Sequence, residues 1–162
     1  MDTPILSDSN LLDLTIRLSI AIVAGGSIGL DRYIHHKAGG LRTHMLVSLG
    51  AALFTIVPIA LVIGTASQYE NRTDIDSLGR IVQGIAAGVG FLGAGEILHT
   101  ATSAHQDTPI RVTGLTSAAS IWVTAAIGVI AGCGLWKLAI VATVMTISIL
   151  TGLKYLERGN GG

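Results

Sequence analysis

The chain has 162 residues, half of them hydrophobic and 12% charged, with a formal net charge of zero. A soluble domain carries roughly 25% charged residues, so this sequence lacks the ionic groups to solvate a globule. Its neutral balance also leaves no electrostatic footprint for nucleic acid. The single cysteine, Cys133, excludes an intrachain disulfide and a thiolate metal cluster.

These limits predict an all-α membrane protein, with one domain over residues 1–162. Met1 to Asn10 contains Asp2 and Asp8 and no positive stretch, so no cleavable secretory signal is expected. The first span is predicted at 11–30, about the 20 residues that a bilayer requires. It carries Asp13 and Arg17, an i,i+4 pair for which an interfacial ion pair with Arg17 reaching outward is preferred over a polar contact inside the bundle. Gly25 and Gly29 make a small-xxx-small face suited to close helix packing.

A short loop, 31–42, holds Asp31, Arg32, Lys37 and Arg42. The second span follows at 43–66, with His44 as its ionisable residue and Pro58 expected to kink it or mark its last turns. The loop 67–79 gathers Glu70, Asp74 and Asp76 around Arg72. Magnesium needs only one or two carboxylates because it keeps several waters, so a loose site is conceivable there. A solvated loop neutralised by Arg72 is the preferred reading.

The third span, 81–98, is thick with glycine. Gly84, Gly88 and Gly95 share one helical face, and Gly90 and Gly93 share another. Bare faces on two sides predict a central helix on which two neighbours pack closely. Gly88 to Gly93 also reads G-x-G-x-x-G, but no strand-to-helix turn surrounds it and no acidic residue follows at the required distance. A dinucleotide site is therefore rejected, and no cofactor is expected.

The polar stretch 100–113 includes Pro109 and Arg111. Thr116 or Ser117 can cap the start of a fourth span at 115–131. Gly132-Cys133-Gly134 then breaks the helix before a fifth span at 135–155, leaving a tail too short for another domain. The fold class is thus a bundle of five transmembrane helices with a glycine-rich central helix. Serines and threonines in the spans are read as interhelical hydrogen-bond partners. No base accompanies them, so an enzyme is not expected.

Orientation follows from the Lys and Arg of the short loops. Arg32, Lys37, Arg42, Arg111, Lys154 and Arg158 fall on one side, against Arg72, Arg80 and Lys137 on the other. The first side is expected to be cytoplasmic, with the N-terminus outside and the C-terminus inside.

Four segments carry a family likeness: Gly29-Leu30-Asp31-Arg32, Gly40-Leu41-Arg42-Thr43-His44, the run Gly88 to Gly95, and Gly114-Leu115-Thr116-Ser117-Ala118-Ala119-Ser120-Ile121-Trp122. In order and spacing the chain resembles the MgtC/SapB family of bacterial inner-membrane proteins. Asp31 stands where that family usually has the longer Glu. Many members also carry a cytoplasmic C-terminal domain, which this sequence is expected to lack. The resemblance implies a role in growth under magnesium limitation and stress adaptation, and in pathogens in survival inside macrophages. It further implies contact with other membrane proteins, the membrane ATP synthase among them, or self-association. A small magnesium transporter or channel subunit is the alternative.

Asp31, Arg32, Arg42, Glu96 and Arg111 all end or flank spans on the predicted cytoplasmic side, and the resemblance favours a functional polar cluster there over residues that merely set orientation. His35, His36, His44, His99 and His105, all five histidines, fall on that same side. They suggest a pH sensor or, less well, zinc ligands, since no His-x-x-x-His occurs. Loop location explains most of them without either role.

Overall fold

The computed structural model describes residues 8–65, 72–102 and 114–159. Among these residues it has five α-helices and no strand: α1 (Asp8–Ile34), α2 (Leu41–Thr65), α3 (Arg72–Thr102), α4 (Leu115–Gly132) and α5 (Trp136–Gly159). Four are long and apolar enough to cross a membrane, and the 24-residue α5 has a shorter apolar stretch, Trp136–Gly152. Helices are the natural outcome because lipid offers backbone N–H and C=O groups no partner outside the segment. α1 runs on to Ile34 and α3 already begins at Arg72, beyond the apolar stretches. Charged residues such as Asp76 and Arg80 are compatible with helix, so the helix outlasts the hydropathy.

The helices alternate in direction. Arg17, near the start of α1, meets Gly132 at the end of α4. His44, near the start of α2, meets Ser120 near the start of α4. α1 and α4 are therefore antiparallel, and α2 and α4 parallel.

The centre of the bundle is α4, and this corrects the expectation that placed α3 there. Among the described residues α4 touches every other helix, whereas α3 touches only α2 and α4. A methyl group added at Gly84, Gly88, Gly90 or Gly95 would meet nothing within 4 Å, and all four glycines are exposed. Gly93 is the exception, because there the methyl would lie 3.3 Å from the Ala118 side chain. Bare faces permit close packing but do not draw a partner by themselves. The α4 sequence does better. Ser120, Thr124, Gly128 and Gly132 recur every four residues, and all are buried.

Opposite that ladder stand His44, Ser48, Ala52 and Thr55 of α2, all buried as well. Gly128 lies against the Ser48 carbonyl oxygen, and a methyl at Gly132 would sit 2.9 Å from the Ala52 carbonyl oxygen. Backbone meets backbone along this seam, the arrangement small residues allow in a membrane. Gly25 and Gly29 do behave as predicted. Added methyls there would lie 2.6 Å from the His44 oxygen and 2.8 Å from the Leu41 Cα, so α1 packs directly on α2.

Both well-defined turns close their helices in the same way. After α1, Lys37 N–H bonds to Arg32 O and His36 N–H to Tyr33 O, with His36 at φ 50°. After α4, Leu135 N–H bonds to Ile130 O and Gly134 N–H to Ala131 O, with Gly134 at φ 79°. This is the Schellman closure, which satisfies carbonyls that would otherwise be orphaned. The spans' hydroxyls mostly bond back to their own helix, which corrects their reading as interhelical partners. Thr55, Thr124, Thr143 and Thr146 each donate to the carbonyl four residues earlier.

Candidate functional site

Polar side chains gather where α1 ends and α2 and α4 begin. Gly25, Gly29 and Arg32 share a face of α1 because offsets of four and seven residues nearly close turns. Gly29 seats the Leu41 backbone and the His44 side chain. One turn on, Arg32 is only 4% exposed. Its guanidinium donates to Asp31 Oδ2 from Nε at 3.0 Å and from Nη2 at 2.6 Å. His35 Nδ1 lies 3.1 Å from Asp31 Oδ1 and 2.8 Å from the Asp31 carbonyl oxygen. Neighbours in a helix point about 100° apart, so the Asp31 and Arg32 side chains must bend toward each other to pair. A buried ion pair requires such close geometry to offset its desolvation.

His44 is fully buried beside this pair. Its Nδ1 lies 3.1 Å from the Gly40 carbonyl oxygen, and its Nε2 lies 3.1 Å from Ser120 Oγ. The Ser120 hydroxyl donates to the Ser117 carbonyl oxygen at 2.7 Å. The approach needs Gly39, which has φ 67° and lies against Ile121 and His44. Three separated segments, 29–32, 40–44 and 114–122, therefore converge on one end of the bundle. The run 88–95 joins them through Gly93 against Ala118.

Of the expected cluster, the structure brings Asp31 and Arg32 together. Arg42 is exposed on the first turn of α2, and Glu96 is half-buried on α3. Arg111 lies outside the described residues, as do Glu70 and His105; the side chains of Asp74 and His99 are not described either. Asp76 is exposed. Among the described residues no group of three His, Cys, Asp or Glu is placed to hold a metal ion. Sequence reasoning placed His44 in the second span, in a family-like segment and among the histidines, but did not join it to Ser120, which is 76 residues away and gives no local signal.

The opposite end holds a second polar site. Arg17 turns into the bundle rather than outward, which corrects its reading as a snorkelling residue. Its Nη1 donates to the Gly132 carbonyl oxygen at 3.1 Å, and its Nη2 pairs with Asp13 at 2.7 Å. The guanidinium lies across Gly134, where a side chain would meet it at 3.0 Å. An arginine in a span is costly unless it finds backbone carbonyls or a counter-charge, and here it has both.

Comparison with known proteins gives a consistent result. The model of the MgtC family matches residues 18–159. SrpB of Synechococcus elongatus is 44% identical over 158 residues, which is 98% of this chain and 84% of that protein. YhiD of Escherichia coli, named as a candidate magnesium transporter, is 39% identical over 142 residues, covering 85% of this chain and 59% of that protein. MgtC of Brucella abortus is 39% identical over 141 residues, covering 87% of this chain and 51% of that protein. The chain spans between half and three-fifths of the length of these last two relatives. No solved structure matches.

Proposed function

The chain belongs to the MgtC family, and from that membership we propose a non-enzymatic, multi-pass regulator that acts by contact with other membrane proteins. The observation that carries this reading is the use made of the family-like segments. Their residues knit helices together: Gly29 seats α2, Asp31 and Arg32 bind each other, and His44 joins Ser120. The α2–α4 seam is closed by backbone contact at Gly128 and Gly132. Such an end suits a platform for a partner better than the lining of a passage. Large apolar side chains remain on the outside, among them Phe54, Phe91 and Leu98, each more than two-thirds exposed. They suit lipid and the apolar flanks of other membrane proteins.

We place the protein in the bacterial inner membrane with its N-terminus outside and its C-terminus cytoplasmic, in line with the Lys and Arg distribution. That puts the Asp31–Arg32–His44 end at the cytoplasmic face. The physiological setting proposed is adaptation to magnesium limitation, with the membrane ATP synthase as one partner. The alternative is a small magnesium transporter or channel subunit, favoured by the name of the Escherichia coli relative. Reconstitution into liposomes containing a magnesium indicator separates the two. The regulator gives no flux above that of empty liposomes, and steady divalent flux would establish the transporter.

A further inference from the structure

Three polar contacts converge on one buried ring. His44 Nδ1 faces the Gly40 carbonyl oxygen, Nε2 faces Ser120 Oγ, and that hydroxyl faces the Ser117 carbonyl oxygen, at 3.1, 3.1 and 2.7 Å respectively. A carbonyl oxygen only accepts. The Gly40 contact therefore needs a proton on Nδ1, and the Ser117 contact needs the hydroxyl proton of Ser120. With that proton directed to Ser117, Oγ offers Nε2 only lone pairs, so Nε2 must donate as well. The three contacts need three protons. A neutral imidazole and a hydroxyl bring two between them, and an imidazolium with a hydroxyl brings three. Either neutral tautomer leaves two acceptors facing each other at hydrogen-bond distance, with no water reaching a ring that is fully buried.

We propose that His44 is a proton-binding site that links α2 to α4. Protonation supplies the missing donor and completes the chain Gly40–His44–Ser120–Ser117. Loss of the proton turns the Ser120 hydroxyl toward Nε2 and releases the Ser117 carbonyl in the first turn of α4. At the end of α1, Asp31 and Arg32 are paired with each other and His35 lies on Asp31, and of these groups the Arg32 charge acts on His44. On α2 the nearest charged residue in sequence is Arg42, which is exposed, and α4 has no ionisable side chain from Leu115 to Gly132. From α3, Glu96 lies at the same end, one turn beyond the Gly93 contact with α4. Gly25 and Gly29 bring the α1 backbone up against the His44 main chain and Cβ, and Gly39 lies at the edge of the ring.

The test uses the full chain, labelled with nitrogen-15 histidine and held in lipid nanodiscs, from about pH 5 to about pH 8, the range in which histidine ordinarily titrates. His44 is assigned by the resonances lost in His44→Gln. The expected result is a ring with two N–H groups at the acid end and one at the alkaline end. The thermal midpoint of the protein should step at the same pH, His44→Gln should abolish the step, and Ser120→Ala should displace the His44 transition. A His44 ring that stays neutral and in one tautomer throughout overturns the proposal. So does a step in stability that survives in His44→Gln, or a transition unmoved in Ser120→Ala. Where His44→Gln fails to fold, the ring is assigned in the parent protein through its bonds to the His44 backbone, and the parent spectra then decide the matter.

Discussion

Arg17 and Gly132 lie 115 residues apart in sequence and are joined by a 3.1 Å hydrogen bond from guanidinium to carbonyl. The last carbonyls of a helix have no partner within it, and a cation there also meets the negative end of the helix dipole. Arg17 therefore finishes α4 from another helix. Removing it in Arg17→Ala should destabilise the protein by about 1.5 kcal/mol, the low end for a hydrogen bond from a charged group, because the side chain is 28% exposed. Asp13→Asn should cost less, since Asp13 is 55% exposed and exposed ion pairs contribute about 0–1 kcal/mol. Thermal aggregation of detergent-purified variants measures both. Equal losses would mean that Arg17 acts through Asp13 and not through α4.

The α1–α2 contact leaves no room for a side chain at Gly25 or Gly29. An added methyl would press on backbone atoms at 2.6 and 2.8 Å, which cannot rotate away. Gly25→Ala and Gly29→Ala should each cost about 1–3 kcal/mol, the usual range for overpacking. Gly26→Ala is the control, because its methyl would meet the flexible Met45 side chain at 3.4 Å. It should melt like the parent protein. A ranking in which Gly26→Ala is the most damaging would contradict the packing described.

Much of this was legible in the sequence, and the reasons for the remainder are specific. Gly25 and Gly29 could be read because two glycines four residues apart in an otherwise apolar span imply one close neighbour. The glycines of α3 carry the same signal in excess, yet most of them are exposed, with nothing packed closely on them. Spacing states that a face is bare and not what covers it. Gly132 was read as a helix breaker with Gly134, although only Gly134 has the left-handed backbone that ends α4. Asp31 and Arg32 were expected in one cluster with Arg42, Glu96 and Arg111 on the strength of the family likeness, and of these the structure shows Asp31 paired with Arg32. The meeting of His44 with Ser120 depends on how α2 and α4 pack, which no local pattern encodes.

Within the polar cluster the buried and exposed arginines should separate cleanly. Arg32→Ala leaves Asp31 without its guanidinium partner in a site where both side chains are under 10% exposed. Breaking such a pair typically costs about 3–5 kcal/mol. Arg42→Ala alters an exposed residue and should change stability by less than about 0.5 kcal/mol. Denaturation in detergent, with membrane insertion checked separately, gives the comparison. A loss for Arg42→Ala matching that for Arg32→Ala would show that Arg42 belongs to the cluster.

Orientation is open to direct measurement. A reporter active only in the cytoplasm should be active when fused after Gly162 and silent when fused after Gly79. The opposite pattern would reverse the topology and move the Asp31–His44 end to the external face.

The central claim is that the α2–α4 seam organises the bundle and that the glycine-rich α3 does not. Gly128→Leu and Gly88→Leu test it side by side, because the same side chain enters a helix glycine in each. At Gly128 the new group is driven into the Ser48 carbonyl, whereas at Gly88 it meets open space. Leucine favours both helix formation and lipid, so insertion should be normal for both. The measurement is the thermal midpoint of aggregation in detergent for the two variants and the parent. The account predicts that Gly128→Leu loses most of its stability while Gly88→Leu melts at or above the parent midpoint. A collapse of Gly88→Leu with Gly128→Leu intact would contradict it and return α3 to the centre.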